Sequence, residues 1–106
     1  MKIAELEPRA DEAAELLTAM ANPKRLLILC HLLDQERSVA ELSELVDLAQ
    51  SPLSQHLAKL RALKLVTGRR EGQSVFYRVA SLEVTRVIET LYRIYCEPPQ
   101  RKKRAR

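Results

Sequence analysis

A chain of 106 residues supports one domain with a single modest core, short enough for a second subunit to be needed to cover it. Its N-terminus lacks an apolar run of signal-peptide length and its longest apolar stretch, residues 26–30, is far too short to span a bilayer, so a soluble, cytoplasmic protein that makes no membrane contact is expected. The net charge of +4 is unevenly laid out: residues 1–50 hold five Lys/Arg against ten Asp/Glu, residues 51–78 six against one, and residues 101–106 five against none. One internal segment and one tail are therefore basic, the distribution that a phosphate-binding face requires.

The first helix is predicted over residues 8–20, with Ala13, Leu16, Leu17 and Met20 as its apolar positions. A break follows at Ala21-Asn22-Pro23, where Asn22 can cap a second helix and Pro23 fits its first position. That helix runs to about Leu33 and, apolar on nearly every side except His31, is expected to be the most buried. Ser38-Val39-Ala40-Glu41 has the form of a capping box and opens a short third helix with Val39, Leu42, Leu45 and Val46 inward. After a turn at Asp47-Leu48-Ala49-Gln50, Ser51-Pro52 is expected to start the next helix by the same cap-and-proline logic. On this fourth helix Leu53, Leu57 and Leu60 form the buried stripe; Ser51, Gln55, Ala58, Lys59 and Ala62 lie opposite, with Ser54 and His56 on the flanks. Its outward face is small, polar and basic, and such a face can enter a groove.

Beyond Lys64 the pattern becomes strand-like. Leu65-Val66-Thr67-Gly68-Arg69-Arg70 and Ser74-Val75-Phe76-Tyr77-Arg78-Val79, joined through Glu71-Gly72-Gln73, predict a hairpin with Arg69, Arg70 and Gln73 at its tip. Ser81 can cap a last helix reaching about Cys96, where Glu97-Pro98-Pro99 ends it. The expected fold is mainly α, with about five helices and a two-stranded wing: a winged helix-turn-helix domain over residues 1–100 and a basic tail at 101–106.

The runs Asn22-Pro23-Lys24-Arg25-Leu26, Ser51-Pro52-Leu53-Ser54-Gln55-His56-Leu57-Ala58-Lys59-Leu60-Arg61 and Arg69-Arg70-Glu71-Gly72-Gln73, with Phe76-Tyr77, resemble the ArsR/SmtB family of winged-helix repressors over roughly residues 10–96. The resemblance implies a homodimer, joined through its first and last helices, that binds double-stranded DNA at an inverted-repeat operator and leaves it when an inducer is sensed. It places Ser51, Ser54, Gln55, His56 and Lys59 on the recognition helix and Arg69, Arg70 and Gln73 on the wing. Gln55 is the first choice for a base edge, since its amide can pair with adenine; Ser51, Ser54 and Lys59 suit phosphates. His56 can instead serve as a flank residue bonded to a neighbouring group.

The family's metal sites lack their ligands here: no cysteine accompanies Glu41-Leu42-Ser43-Glu44-Leu45, and residues 81–97 contain no His, so no metal or other cofactor is expected. Two cysteines remain, Cys30 and Cys96, too far apart in sequence for a C-x-x-C motif. Taken alone, Cys30 reads as a small core residue and Cys96 as incidental. Their placement, in Leu-Leu-Ile-Leu-Cys-His and at the close of Leu-Tyr-Arg-Ile-Tyr-Cys, resembles the BigR/SqrR type, the branch of the family that responds to sulfide and persulfide. That resemblance implies a persulfide or polysulfide inducer that links Cys30 to Cys96 and releases the operator. A Cu(I) ion held by both thiolates, a general oxidant, and a winged-helix interaction module that never binds DNA are the competing readings. An enzyme is disfavoured: Ser54 and His56, two apart on one helix, point in different directions, and Gly68 and Gly72 alone make no phosphate-binding loop.

Overall fold

The computed structural model describes residues 1–98. The domain boundary expected at residue 100 and the basic tail at 101–106 lie outside them. The chain opens with α1 (Ile3–Leu6), a 3-10 turn (Glu7–Arg9) and α2 (Ala10–Met20), so helical structure begins five residues before the predicted start. Pro8 explains the break, because without an N–H it cannot complete the α-helical bond to the carbonyl four residues back. The chain continues through α3 (Pro23–Asp34), β1 (Arg37–Ser38), α4 (Val39–Leu45), α5 (Gln50–Ala62), β2 (Val66–Glu71), β3 (Ser74–Val79) and α6 (Leu82–Tyr95).

Three expected caps form. The Asn22 side chain accepts from the Lys24 and Arg25 N–H groups, Ser38 and Glu41 close a reciprocal capping box, and Ser81 accepts from the Val84 N–H. The expected cap at Ser51 does not form. α5 starts one residue earlier, with Ala49 in extended conformation at its N-cap and no side-chain cap bond. Pro52 then sits third in the helix, where a missing N–H still costs nothing, and the Ser51 hydroxyl is left outside any capping role.

Ile28 and Leu29 of α3, Leu42 of α4, Leu53, Leu57 and Leu60 of α5, and Val84 of α6 meet in one core, which the sheet closes with Val66 and Tyr77. α3 is the most covered helix, with Ile28, Leu29 and Leu32 buried and Leu26, His31 and Leu33 half-buried, but Leu27 and Cys30 on its outer side are exposed. Its all-round apolar character reflects an outer side that the rest of this chain leaves uncovered.

The hairpin pairs Val66 with Val79 through Glu71 with Ser74, leaving Gly72-Gln73 as a two-residue loop. Gly72 supplies the positive φ of +63° that such a loop demands at its first position. Gly68 lies opposite Tyr77, and a Cβ there would come within 2.9 Å of the ring. The wing has a third strand: β1 pairs with β3, Arg37 opposite Tyr77 and Ser38 opposite Phe76, giving the order β1-β3-β2. A strand of two residues is too short to show alternation in a sequence. Among the described residues no single helix is long and apolar enough to cross a membrane.

Candidate nucleic-acid interface and thiol pair

The reading helix is held at both ends by backbone closures that the sequence does not advertise. α4 ends with Asp47 in the left-handed region (φ 55°), the Leu48 N–H donating to Ser43 O at 3.1 Å and the Asp47 N–H to Glu44 O at 3.4 Å. α5 ends the same way: Lys64 has φ 65°, and the Leu65 and Lys64 N–H groups donate to Leu60 O and Arg61 O, each at 2.9 Å. This double bond pattern satisfies the last carbonyls of both helices and turns the chain sharply. Lys24 adds a strut, its Nζ donating to Val46 O at 2.5 Å and Asp47 O at 3.4 Å, so α3 grips the turn between α4 and α5.

With α5 so placed, Ser51, Ser54, Gln55 and Lys59 are exposed while Leu53, Leu57 and Leu60 are buried, the division that 100° spacing predicts. His56 is set apart: it is partly buried, and its Nδ1 lies 3.5 Å from Nη1 of Arg25. Burial, then the positive charges of Arg25 and Lys59, hold its imidazolium below the usual histidine range. The first turn of α5 has free N–H groups at Gln50 and Ser51 that no side chain caps, and such groups suit an anion.

On the wing, Gln73 is at the tip and Arg70 is exposed, one residue from the β2 end. Arg69 lies further back, opposite Phe76, and is not a free cation. Its Nε and Nη2 each donate to one oxygen of Glu36 at 2.8 Å, its Nη1 donates to Glu71 at 2.8 Å, and its guanidinium stacks 4.9 Å over the Phe76 ring. Glu36, Lys24 and Arg25 are the site residues that sequence reasoning did not assign. Lys24 and Arg25 stand in a quoted motif, but their partners are backbone carbonyls distant in sequence, and Glu36 is one acidic residue among many.

The two cysteines lie near one another on α3 and at the end of α6. Both thiols are free and exposed, Cys30 on α3 and Cys96 as the C-cap of α6, where its N–H donates to Tyr92 O at 2.8 Å. A cavity of about 470 Å³ beside Cys30 is lined by Leu33, Ile88 and Tyr92, with Glu89, Arg93 and Glu97 around them. Desolvation against these walls pushes the Cys30 thiol pKa up, and the nearness of Cys96 adds to the shift. Surface area makes Cys30 exposed, yet its sulfur is partly desolvated; the two fit a thiol that is open on one side and apolar on the other. Among the described residues no three His, Cys, Asp or Glu side chains converge where a metal ion could sit.

A helix-turn-helix whose outer helix presents a polar face, flanked by a hairpin, is the build of a winged-helix DNA-binding protein. The chain belongs to the arsR family of bacterial regulatory proteins, which matches over residues 22–67. It is a transcriptional regulator of that family and not an enzyme. The transcriptional activator HlyU of Vibrio cholerae is 53% identical over 100 residues, covering 94% of this chain and 93% of HlyU. The crystal structure of the transcriptional repressor BigR from Xylella fastidiosa superposes with a TM-score of 0.88 at 36% identity, covering 92% of this chain and 100% of that one. A homodimeric winged helix-turn-helix DNA-binding domain from Mycobacterium bovis superposes with a TM-score of 0.73 at 31% identity, covering 83% and 82%.

Proposed function

We propose that this chain is a homodimeric, cytoplasmic repressor that binds an inverted-repeat DNA site and leaves it when persulfide or polysulfide links Cys30 to Cys96. The observation that carries the sulfur reading is the pair of free, exposed thiols, near enough for Cys96 to act on the Cys30 thiol pKa, on two different helices. The likeness to BigR supports repression, and the homodimeric Mycobacterium bovis domain supports the assembly. Ser51, Ser54, Gln55 and Lys59 face the major groove, Gln55 reading a base edge, while Arg70 and Gln73 lie along the backbone. His56 packs against Arg25 and braces the helix from its flank.

The thiol chemistry balances without any other oxidant. The Cys96 thiolate attacks the terminal sulfur of an organic persulfide, RSSH; the S–S bond breaks, RS⁻ leaves, and Cys96 carries the sulfur as its own persulfide. Cys30 then attacks the inner sulfur, HS⁻ leaves, and a disulfide joins the helices: two thiols are oxidised, and one persulfide is reduced to a thiol and hydrosulfide. Each sulfur atom retained in a longer bridge consumes one further persulfide. Cys30 is the second nucleophile because its raised pKa leaves less thiolate.

The test uses a duplex selected by the wild-type protein from a random-sequence pool. Persulfide should release the wild type, Cys30→Ser and Cys96→Ser should bind normally and not respond, reductant should restore binding, and intact mass should count the added sulfur. Release of either single mutant by persulfide sinks the two-cysteine switch. Release of the wild type by Cu(I) without persulfide favours the metal reading instead.

A further inference from the structure

We infer that Glu36 is a positioning residue for DNA binding: it clasps Arg69 and so fixes the wing to the end of α3, leaving Arg70 as the wing cation that meets phosphate. The inference deepens the reading above and rests on its claim that the α5 and wing face binds DNA.

The pair is bidentate, both Glu36 oxygens accepting from one guanidinium edge at 2.8 Å, the geometry in which arginine gives directional fixation as well as charge. Glu71 takes a third N–H at 2.8 Å and Phe76 covers one face of the guanidinium. Three of the five guanidinium N–H groups are thus engaged, and the trio of Glu36, Arg69 and Glu71 carries net charge −1. A phosphate approaching Arg69 meets two carboxylates first. Arg70 differs because successive strand residues point to opposite faces; among the described residues it has no ion-pair partner.

The position of Glu36 gives the clasp its use. It follows α3 by two residues and precedes β1, and it grips a strand residue 33 positions later. β1 ties the base of the wing through Arg37 and Tyr77, and Arg37 is in turn bonded to His31 O of α3 at 3.2 Å. Glu36 adds a second fixed point further along β2, so the angle between wing and α5 is set by two attachments. Exposed ion pairs contribute little to stability, so the effect belongs to geometry and is read in DNA binding.

The experiment measures affinity of the same selected duplex against salt for wild type, Glu36→Gln, Arg69→Gln, the double variant and Arg70→Gln, each checked for folding by circular dichroism. Arg70→Gln should flatten the salt slope by about 1.8, the loss of one phosphate contact in each subunit of the dimer. Glu36→Gln and Arg69→Gln should each weaken binding by about threefold to tenfold at unchanged slope, and the double variant should be no worse than either alone. The inference is overturned if Arg69→Gln flattens the slope as Arg70→Gln does, or if Glu36→Gln tightens binding by releasing Arg69 to a phosphate. Failure of the wild type to bind any duplex in a salt-dependent way overturns the DNA reading itself, and that result is visible before any variant is compared.

Discussion

Arg25, on α3, reaches two other helices at once. Its Nε donates to Ala19 O at 2.6 Å and its Nη2 to Thr18 O at 3.4 Å, both near the end of α2, and its Nη1 approaches His56 on α5. Burial disfavours the charged imidazole and contact with a guanidinium adds to this, so His56 titrates below its ordinary value. The sign follows directly. A histidine whose folded pKa is lowered binds fewer protons in the folded chain than in the unfolded one, so stability is complete above about pH 6.5 and falls as pH drops through the window beneath it. Urea midpoints for the wild type should therefore decline between pH 7.5 and pH 5.5 more steeply than for His56→Gln. Equal declines would mean that Arg25 and His56 are merely adjacent.

At the scale of elements, the start and stop signals differ in how much of them is written in residue type. Asn22-Pro23, Ser38 with Glu41, and Ser81 announce α3, α4 and α6 because a side chain does the capping. The ends of α4 and α5 are closed by backbone bonds at Asp47 and Lys64, residues that carry no glycine-like signal for a positive φ. Lys64 makes this testable. A non-glycine residue in the left-handed region costs about 1–2 kcal/mol, part of which glycine returns through its freer unfolded chain. Lys64→Gly should therefore stabilise the protein by a few tenths to about 1 kcal/mol in urea titration, and a loss of stability would show that the Lys64 stem packs usefully. The same contrast decides which site residues were legible. The α5 face could be read because Leu53, Leu57 and Leu60 fix its phase, which sends Ser51, Gln55 and Lys59 outward. The strut from Lys24, the brace from Arg25 and the clasp from Glu36 join residues 22 or more positions apart, and no local pattern encodes such pairings.

Among the described residues, apolar side chains are exposed at both helical ends of the molecule. Ile3 and Leu6 of α1, Leu17 of α2, and Tyr92, Ile94 and Tyr95 of α6 are exposed, although α6 buries Val84 and Ile88 in the core of its own chain. Tyr92 and Tyr95 continue the Val84 and Ile88 stripe of α6 beyond the core of their own chain and Ile94 lies beside it, so the last turns of the helix offer an apolar surface that suits a second copy and the proposed two-fold site on DNA. Two recognition helices reading half-sites about 34 Å apart must be held at fixed spacing, which is the task a subunit contact through this face would perform in the proposed dimer. Ile94→Asp places a charge in that face while Val84 and Ile88 keep the monomer folded, since neither contacts solvent appreciably. The variant should sediment as a folded monomer with unchanged circular dichroism. It should lose about 100-fold or more in affinity for the two-half-site duplex, because the second half-site no longer binds as an intramolecular event, yet keep wild-type affinity for a single half-site. If Ile94→Asp still sediments as a dimer, the two subunits meet elsewhere; if it is monomeric and binds both duplexes as the wild type does, the protein reads DNA one subunit at a time.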